Sequence, residues 1–286
     1  MSTKALDAPP SLVQLYAKAA VTGPLHRGST LPDSVYTLDG YSIDREHLAA
    51  YQQVCGFRVS DVLPPTYLHV LAFPLSIALM TERSFPFPLV GLVHVNNEIV
   101  VKRQVRADEV VSFDVRAAHL RPHPAGRQLD LLAQASVDGT VVWSGKSTYL
   151  RRGGGAKPGE KKAATPSVPS VPDAASVATL KVPENTGRRY AAVSGDRNPI
   201  HLHALTARAF GFPKAIAHGM WLKARVLATL EGRLPDAYLV DVAFKTPVLL
   251  PSTITVATAP ATTGWALDVR NAKSGTPHLA GSVQAP

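Results

Sequence analysis

A single cysteine, Cys55, among 286 residues leaves no internal disulfide framework, which fits a reducing compartment. Long apolar runs are also missing. The most apolar stretch, residues 66–80, contains His69 and Pro74 and is too short to span a bilayer. The first residues, MSTKALDAPPSLVQLY, lack the basic-then-apolar layout of a secretion signal. The expectation is a cytoplasmic chain with no membrane span. Acidic side chains are scarce, 21 against 30 Lys and Arg, for a net charge of +9. That balance serves solubility or an anionic partner. Nucleic acid would want the basic residues gathered on one element with aromatics between them. Here they are scattered, and the densest group, Arg151, Arg152, Lys157, Lys161 and Lys162, falls in linker-like sequence. No nucleic-acid binding is expected. The phosphates of coenzyme A or an acidic carrier protein remain as anionic partners.

What the chain does have is a normal core, with 45% apolar residues, divided in two. Residues 151–176, RRGGGAKPGEKKAATPSVPSVPDAAS, offer almost nothing to bury and read as a flexible linker. The halves on either side, 1–150 and 177–286, look like distant copies. Tyr51-Gln-Gln-Val-Cys-Gly-Phe57 matches Tyr190-Ala-Ala-Val-Ser-Gly-Asp196, and Gly91-Leu-Val-His-Val95 matches Tyr238-Leu-Val-Asp-Val242 in the same order. Each half reads as a long apolar helix followed by several strands. In the second, the helix runs from Met220 to Leu230 and stops at Gly232, a good C-terminal signal. Strands follow at Tyr238–Lys245, Ser252–Ala259, Trp265–Asn271 and Leu279–Gln284. Tyr238, Val240, Val242 and Phe244 alternate with their neighbours, so one sheet face packs on the helix. A helix followed by an antiparallel run is α+β. A long helix wrapped by such a sheet is a hotdog, and two copies make a double hotdog.

The segment from Tyr190 to Trp221 carries the chemistry. Ser194-Gly195-Asp196 reads as a turn, in which the Ser194 hydroxyl makes a local hydrogen bond. Asn198 is a good N-cap and Pro199 a good first helical residue, so a helix is expected from Pro199 to Phe210, ending at Gly211. His201 then sits in its first turn and Asp196 just before the cap, with a carboxylate and an imidazole on one side of the helix start. Farther on, His218-Gly219 leads into the next helix. The first amides of a helix are unpaired and carry partial positive charge, and Gly219 has no side chain to obstruct a ligand. Its N–H is a candidate oxyanion donor for a thioester carbonyl.

The string Tyr190-x-x-Val-Ser-Gly-Asp-x-Asn-Pro-Ile-His201 resembles the hydratase-2 motif of the MaoC-like dehydratase family. Ala209-x-Gly-Phe212, Ile216-Ala-His-Gly-Met220 and Phe244-Lys-Thr-Pro-Val248 resemble the same family in the same order. The resemblance implies reversible hydration of a trans-2-enoyl thioester to the (R)-3-hydroxyacyl thioester. Asp196 and His201 would be catalytic, Gly219 would supply the oxyanion N–H, and Asn198 would orient the pair. It implies no metal and no cofactor beyond the coenzyme A or phosphopantetheine of the substrate. The substrate is an acyl-CoA or an acyl carrier protein adduct, and a homodimer is one assembly left open. A non-catalytic acyl-thioester binder and a hotdog thioesterase are the competing functions.

Other residues have blander readings. His201 and His203 are two apart on a helix and do not face one way, so a shared metal is not expected and His203 reads as exposed. His218 has a structural or a catalytic role. Met220 and Trp221 read as core, and Lys245 as solvated or facing coenzyme A phosphates. The first half is expected to bind the acyl chain without chemistry. Phe57 stands in place of Asp196, no Asn-Pro-Ile-His follows Gly56, and Pro74 aligns with Gly219. Leu68, Leu71, Phe73 and Leu75 are the candidate acyl-chain contacts, lining an apolar channel from Asp196 into residues 60–95.

Overall fold

The computed structural model describes residues 2–22, 29–153 and 176–285. The N-terminal segment forms β1 (Ser2–Leu6) and α1 (Leu12–Thr22). The first repeat comprises β2 (Ser34–Ser42), α2 (Arg45–Cys55), α3 (Pro65–Met80), β3 (Leu92–Val101), β4 (Val110–His123), β5 (Gly126–Val137) and β6 (Thr140–Arg152). The second comprises β7 (Ser176–Val182), α4 (Thr186–Ser194), α5 (Pro199–Leu202), α6 (Ala204–Ala209), α7 (Gly219–Ala228), β8 (Tyr238–Phe244), β9 (Ser252–Ala261), β10 (Gly264–Asn271) and β11 (Pro277–Gln284). Of the linker expected over 151–176, residues 154–175 lie outside the described residues. Its two ends belong to strands, since Arg151 and Arg152 close β6 and Ser176 opens β7.

Among the described residues eleven strands form one sheet in the order β1-β2-β4-β5-β6-β3-β8-β11-β10-β9-β7. Read outward from the centre, β3-β6-β5-β4-β2 repeats as β8-β11-β10-β9-β7, which is the double hotdog. The repeats meet where β3 and β8 pair antiparallel, from Asn96 with Ala243 to Val101 with Tyr238. One repeat is therefore turned about a pseudo-twofold axis relative to the other.

The long helices α3 and α7 lie against this sheet. Leu68, Leu71, Phe73, Leu75, Ile77 and Leu79 of α3 and Trp221, Leu222, Val226 and Leu227 of α7 are all buried. Lys223 on α7 is fully buried too. Its Nζ donates to the Asn97 backbone and side-chain oxygens at 2.9 and 2.6 Å and to the Val240 carbonyl at 3.2 Å, fastening α7 to the β3–β8 seam. Burial holds its pKa well below the ordinary lysine value.

The matched strings occupy equivalent places. Helices α2 and α4 both end on a glycine in the left-handed region, Gly56 at φ 77° and Gly195 at φ 70°, a conformation that costs other residues a steric penalty. Tyr51 and Tyr190 are both buried, with ring centroids 6.3 Å apart. The alignment of Pro74 with Gly219 needs correction. Gly219 is the first residue of α7, and the first residue of α3 is Pro65, while Pro74 lies within α3. The long helix begins sooner after the glycine cap in the first repeat than the apolar pattern suggested.

Candidate active site

The expected helix from Pro199 to Phe210 is two short helices broken at His203, which is extended at φ −144°, ψ 148°. The carbonyls that would continue α5 are taken by other groups. Ile200 O accepts the Ile216 N–H at 3.1 Å, and Leu202 O accepts from Arg188 at 3.2 Å. Asn198 caps α5, its side chain accepting from the Ile200 N–H, and Pro199 follows as expected. His203 at the break is exposed.

The break leaves His201 buried. Its Nδ1–H donates to the Ile216 carbonyl at 2.8 Å, so Nε2 carries the lone pair. Burial lowers the pKa of His201 against the opposing pull of Asp196 and of the Ile216 hydrogen bond, and the ring is neutral at neutral pH. The Asp196 carboxylate is half-buried. Its Oδ1 accepts the Asn198 N–H at 3.1 Å and the Tyr16 hydroxyl at 2.9 Å, and Ser194 Oγ accepts the Asp196 N–H at 3.2 Å within the turn. Burial favours the neutral acid. His218, His201, the Asn198 amide and the Tyr16 hydroxyl outweigh it and hold the carboxyl pKa below the ordinary value. The resting pair is thus a carboxylate beside a neutral imidazole.

His218 completes the group. Its Nε2 lies 3.0 Å from the Asp196 carbonyl, and its ring stacks on His201 at a centroid distance of 3.7 Å and an angle of 26°. Burial, then His201, pushes its pKa down to about 3. One atom each of Asp196, His201 and His218 fall within 4.8 Å of one another, a spacing that could hold a metal. The stacking argues against it. Nitrogen lone pairs lie in the ring planes, and two near-parallel planes this far apart do not meet at one ion bound at about 2.0–2.1 Å from each nitrogen.

Asp196, Asn198, His201, His218 and Gly219 line one cavity of about 190 Å³ with Met220, Leu222 and Phe244. The first repeat contributes Leu92, Val93, His94, Val95, Tyr149 and Arg152 to its walls. As the first residue of α7, Gly219 has no intrahelical acceptor for its N–H. A Cβ there would sit 3.0 Å from the Phe244 ring, so glycine is also what that ring permits. Among the described residues, three buried ring nitrogens have no partner: His94 Nε2, His218 Nδ1 and His278 Nε2. All three residues line this cavity, which is where a polar ligand would satisfy them. Lys245 and Arg152, both exposed, stand on its wall. Met220 and Trp221 are buried as expected, and Met220 also faces the cavity.

The candidate acyl contacts lie elsewhere. Leu68 lines a second cavity of about 140 Å³ with Phe57, Leu63, Pro65, Val101, Trp143 and Tyr238. Leu71, Phe73 and Leu75 are packed in the core and line neither cavity. The two cavities share no lining residue: the Asp196 cavity reaches Leu92 to Val95 at the end of the expected 60–95 region, while Leu68 borders a separate hollow. They are related by the pseudo-twofold axis. Each sits at the start of a long helix and the end of a seam strand, α3 with β3 in one and α7 with β8 in the other. Sequence reading also missed Tyr16. It comes from α1, 180 residues before Asp196, and no local motif marks it.

A carboxylate, a neutral imidazole and a glycine at a helix start, all lining one cavity of a double hotdog, define a class. The chain belongs to the MaoC-like dehydratase family, and residues 163–274 match its MaoC like domain. Along nearly its whole length it is similar to 3-hydroxyacyl-thioester dehydratase X of Mycobacterium tuberculosis, 39% identical over 270 residues, 94% of this chain and 96% of that one. The crystal structure of that protein, HtdX, superposes with a TM-score of 0.77 at 38% identity, covering 88% of this chain and all of the other. A MaoC-like dehydratase from Phytophthora capsici matches at TM-score 0.71 with 17% identity, over 90% of this chain and 96% of that chain. At that identity the likeness speaks for the fold. Among the described residues no helix is long and apolar enough to cross a membrane.

Proposed function

We infer that the chain is a hydro-lyase of fatty-acid metabolism that reversibly dehydrates (R)-3-hydroxyacyl thioesters to trans-2-enoyl thioesters, with Asp196 and His201 as its acid–base pair. The observation that carries this is the joint placement of Asp196, His201 and Gly219 on one cavity wall, in a chain that shares 39% identity with a named 3-hydroxyacyl-thioester dehydratase.

The thioester carbonyl accepts the Gly219 N–H, which stabilises the charge that grows on oxygen as the α-proton leaves. His201 Nε2, bare because Nδ1 is held by Ile216, takes that proton. The Asp196 carboxylate accepts a hydrogen bond from the 3-hydroxyl and stabilises the imidazolium. The imidazolium then returns its proton to the departing hydroxyl. The Cα–H and Cβ–O bonds break, the Cα=Cβ bond forms, and water leaves. In hydration the same steps run backward. His218 stays neutral and holds His201 by stacking and the Asp196 backbone by hydrogen bonding. Asn198 fixes both partners, through its N–H on Asp196 and its cap on α5. Arg152 and Lys245 suit the phosphates of either carrier, and the acyl tail lies against Leu92, Val93, Val95 and Phe244. No redox cofactor or metal enters these steps. A cytoplasmic setting fits the single cysteine of the chain.

The test is turnover of (R)- and (S)-3-hydroxyacyl thioesters of several chain lengths, on coenzyme A and on acyl carrier protein, following enoyl absorbance and free thiol together. Enoyl formation from the (R) series without thiol release is expected. Thiol release without enoyl product would establish a thioesterase, and tight binding with neither signal a binding protein.

A further inference from the structure

Helix α1 precedes the first repeat, yet it reaches the second repeat's site. Leu12 and Tyr16 are one turn apart and share a face of the helix. Leu12 Cδ1 lies only 2.2 Å from where a Cβ on Gly195 would stand, so the glycine that ends α4 also gives α1 room to approach. Beside that contact the half-buried Tyr16 donates its hydroxyl to Asp196 Oδ1 at 2.9 Å. Tyr16 is not among the residues lining the cavity, so it meets the carboxylate from behind. Oδ1 has a second donor in the Asn198 N–H. Two donors on one oxygen fix the rotation of the carboxylate, whose Oδ2 lies 3.8 Å from His218 Nε2.

We propose that Tyr16 is a positioning residue for the dehydration, orienting the Asp196 carboxylate and favouring its ionised form from outside the cavity. The proposal rests on the acid–base role given to Asp196 above. Burial and the nearby Asp196 raise the phenol pKa far above its ordinary value, so the hydroxyl remains a donor throughout the working range. An arm of the chain separate from both repeats thereby completes the site.

The experiment is Tyr16→Phe in the full chain, which keeps the ring and removes the donor. Two quantities are read: kcat and KM across pH, and the Asp196 pKa by NMR of carboxyl-labelled aspartate without substrate. Loss of a hydrogen bond to the charged form raises a carboxyl pKa. The Asp196 pKa should therefore rise, and the acid limb of kcat should follow it to higher pH. At the optimum kcat should fall about tenfold, the scale of a lost hydrogen bond to a charged group, with KM within about twofold. Leu12→Ala, which loosens α1 but keeps the hydroxyl, should shift the pKa less than Tyr16→Phe. An unmoved Asp196 pKa overturns the proposal, as does a moved pKa with unchanged kcat. So does a Leu12→Ala variant that matches Tyr16→Phe in every readout, since α1 packing would then explain the effect. The NMR titration needs no turnover, so its result stands apart from the assignment of the reaction.

Discussion

Gly56 and Gly195 end helices of the same kind with nearly the same backbone angles, and the repeats diverge immediately after them. In the second repeat the chain places Asp196, inserts α5 and α6 with His201, and enters the long helix at Gly219. In the first it places Phe57, runs through a loop without a helix and enters the long helix at Pro65. The sheet, the long helix and the cavity at its start survive in both. The carboxylate, the imidazole and the free N–H survive in one. Packing frames are set by many apolar residues and tolerate drift. Chemistry is set by three or four groups, and substituting any of them silences a site without disturbing the fold around it.

The largest effects should come from removing what the second repeat alone possesses. Asp196→Asn and His201→Ala should each lower kcat by at least ~100-fold, with little change in thermal midpoint for Asp196→Asn, whose side chain is near-isosteric. Near-normal turnover in either would break the comparison. Gly219→Pro makes the second repeat resemble the first. His218 already holds φ −68°, ψ 137°, geometry that a residue before proline accepts, and the first helical position tolerates proline. Because the added Cβ also crowds the Phe244 ring, Gly219→Ala is the control for space: the helix should persist in both variants, and kcat should drop on the order of 100-fold further in Gly219→Pro through loss of the oxyanion donor. A variant with intact circular dichroism and unchanged kcat would remove Gly219 from the mechanism.

Smaller effects sharpen the frame that the repeats share. Lys223→Met should leave the Asn97 and Val240 oxygens unsatisfied at the seam. A loss of about 1–3 kcal/mol in urea unfolding is expected, with kcat changed much less. Acid should weaken the fold in a defined window. Burial holds His218 and His94 near 3 and His69 near 4, against about 6.5 when unfolded. The unfolded chain therefore binds more protons between those values. These rings cost the fold nothing above pH 6.5, and stability is lost as pH falls from there toward 3 to 4, up to about 2 kcal/mol apiece at pH 5. Urea midpoints that do not fall between pH 7 and pH 5 would contradict these buried neutral rings. Last, Phe57→Asp in an Asp196→Asn background should restore no turnover, because no histidine follows Gly56 in a capped helix. Any recovery would show that the first cavity lacks less than proposed.

Much of this was legible from the residues. The four strands after α7 fall within two residues of their expected bounds because alternation and turn residues mark them locally, whereas β7, which opens at the linker's end, was not expected. Asp196, Asn198, His201 and Gly219 come together because a capped turn and a helix start are also local devices. What escaped depends on long-range contacts. The break at His203 arises because Ile216 and Arg188 claim carbonyls of α5, which no helix propensity foretells. The place of Pro65 opposite Gly219 was hidden by the shorter connection in the first repeat, which drew the alignment to Pro74. Lys223 looks like an ordinary helical lysine until β3 and β8 meet beneath it. Tyr16 is remote from its partner in sequence and sits in a helix with nothing unusual in its pattern.

Thioester chemistry is confined to one of the two related cavities. A crystal structure of the Asp196→Asn variant with a bound (R)-3-hydroxyacyl thioester tests it most directly. The thioester oxygen should lie within hydrogen-bond distance of the Gly219 N–H, with the 3-hydroxyl between residue 196 and His201 Nε2. A thioester seated instead beside Phe57 and Pro65, or one whose 3-hydroxyl faces away from His201, would contradict it.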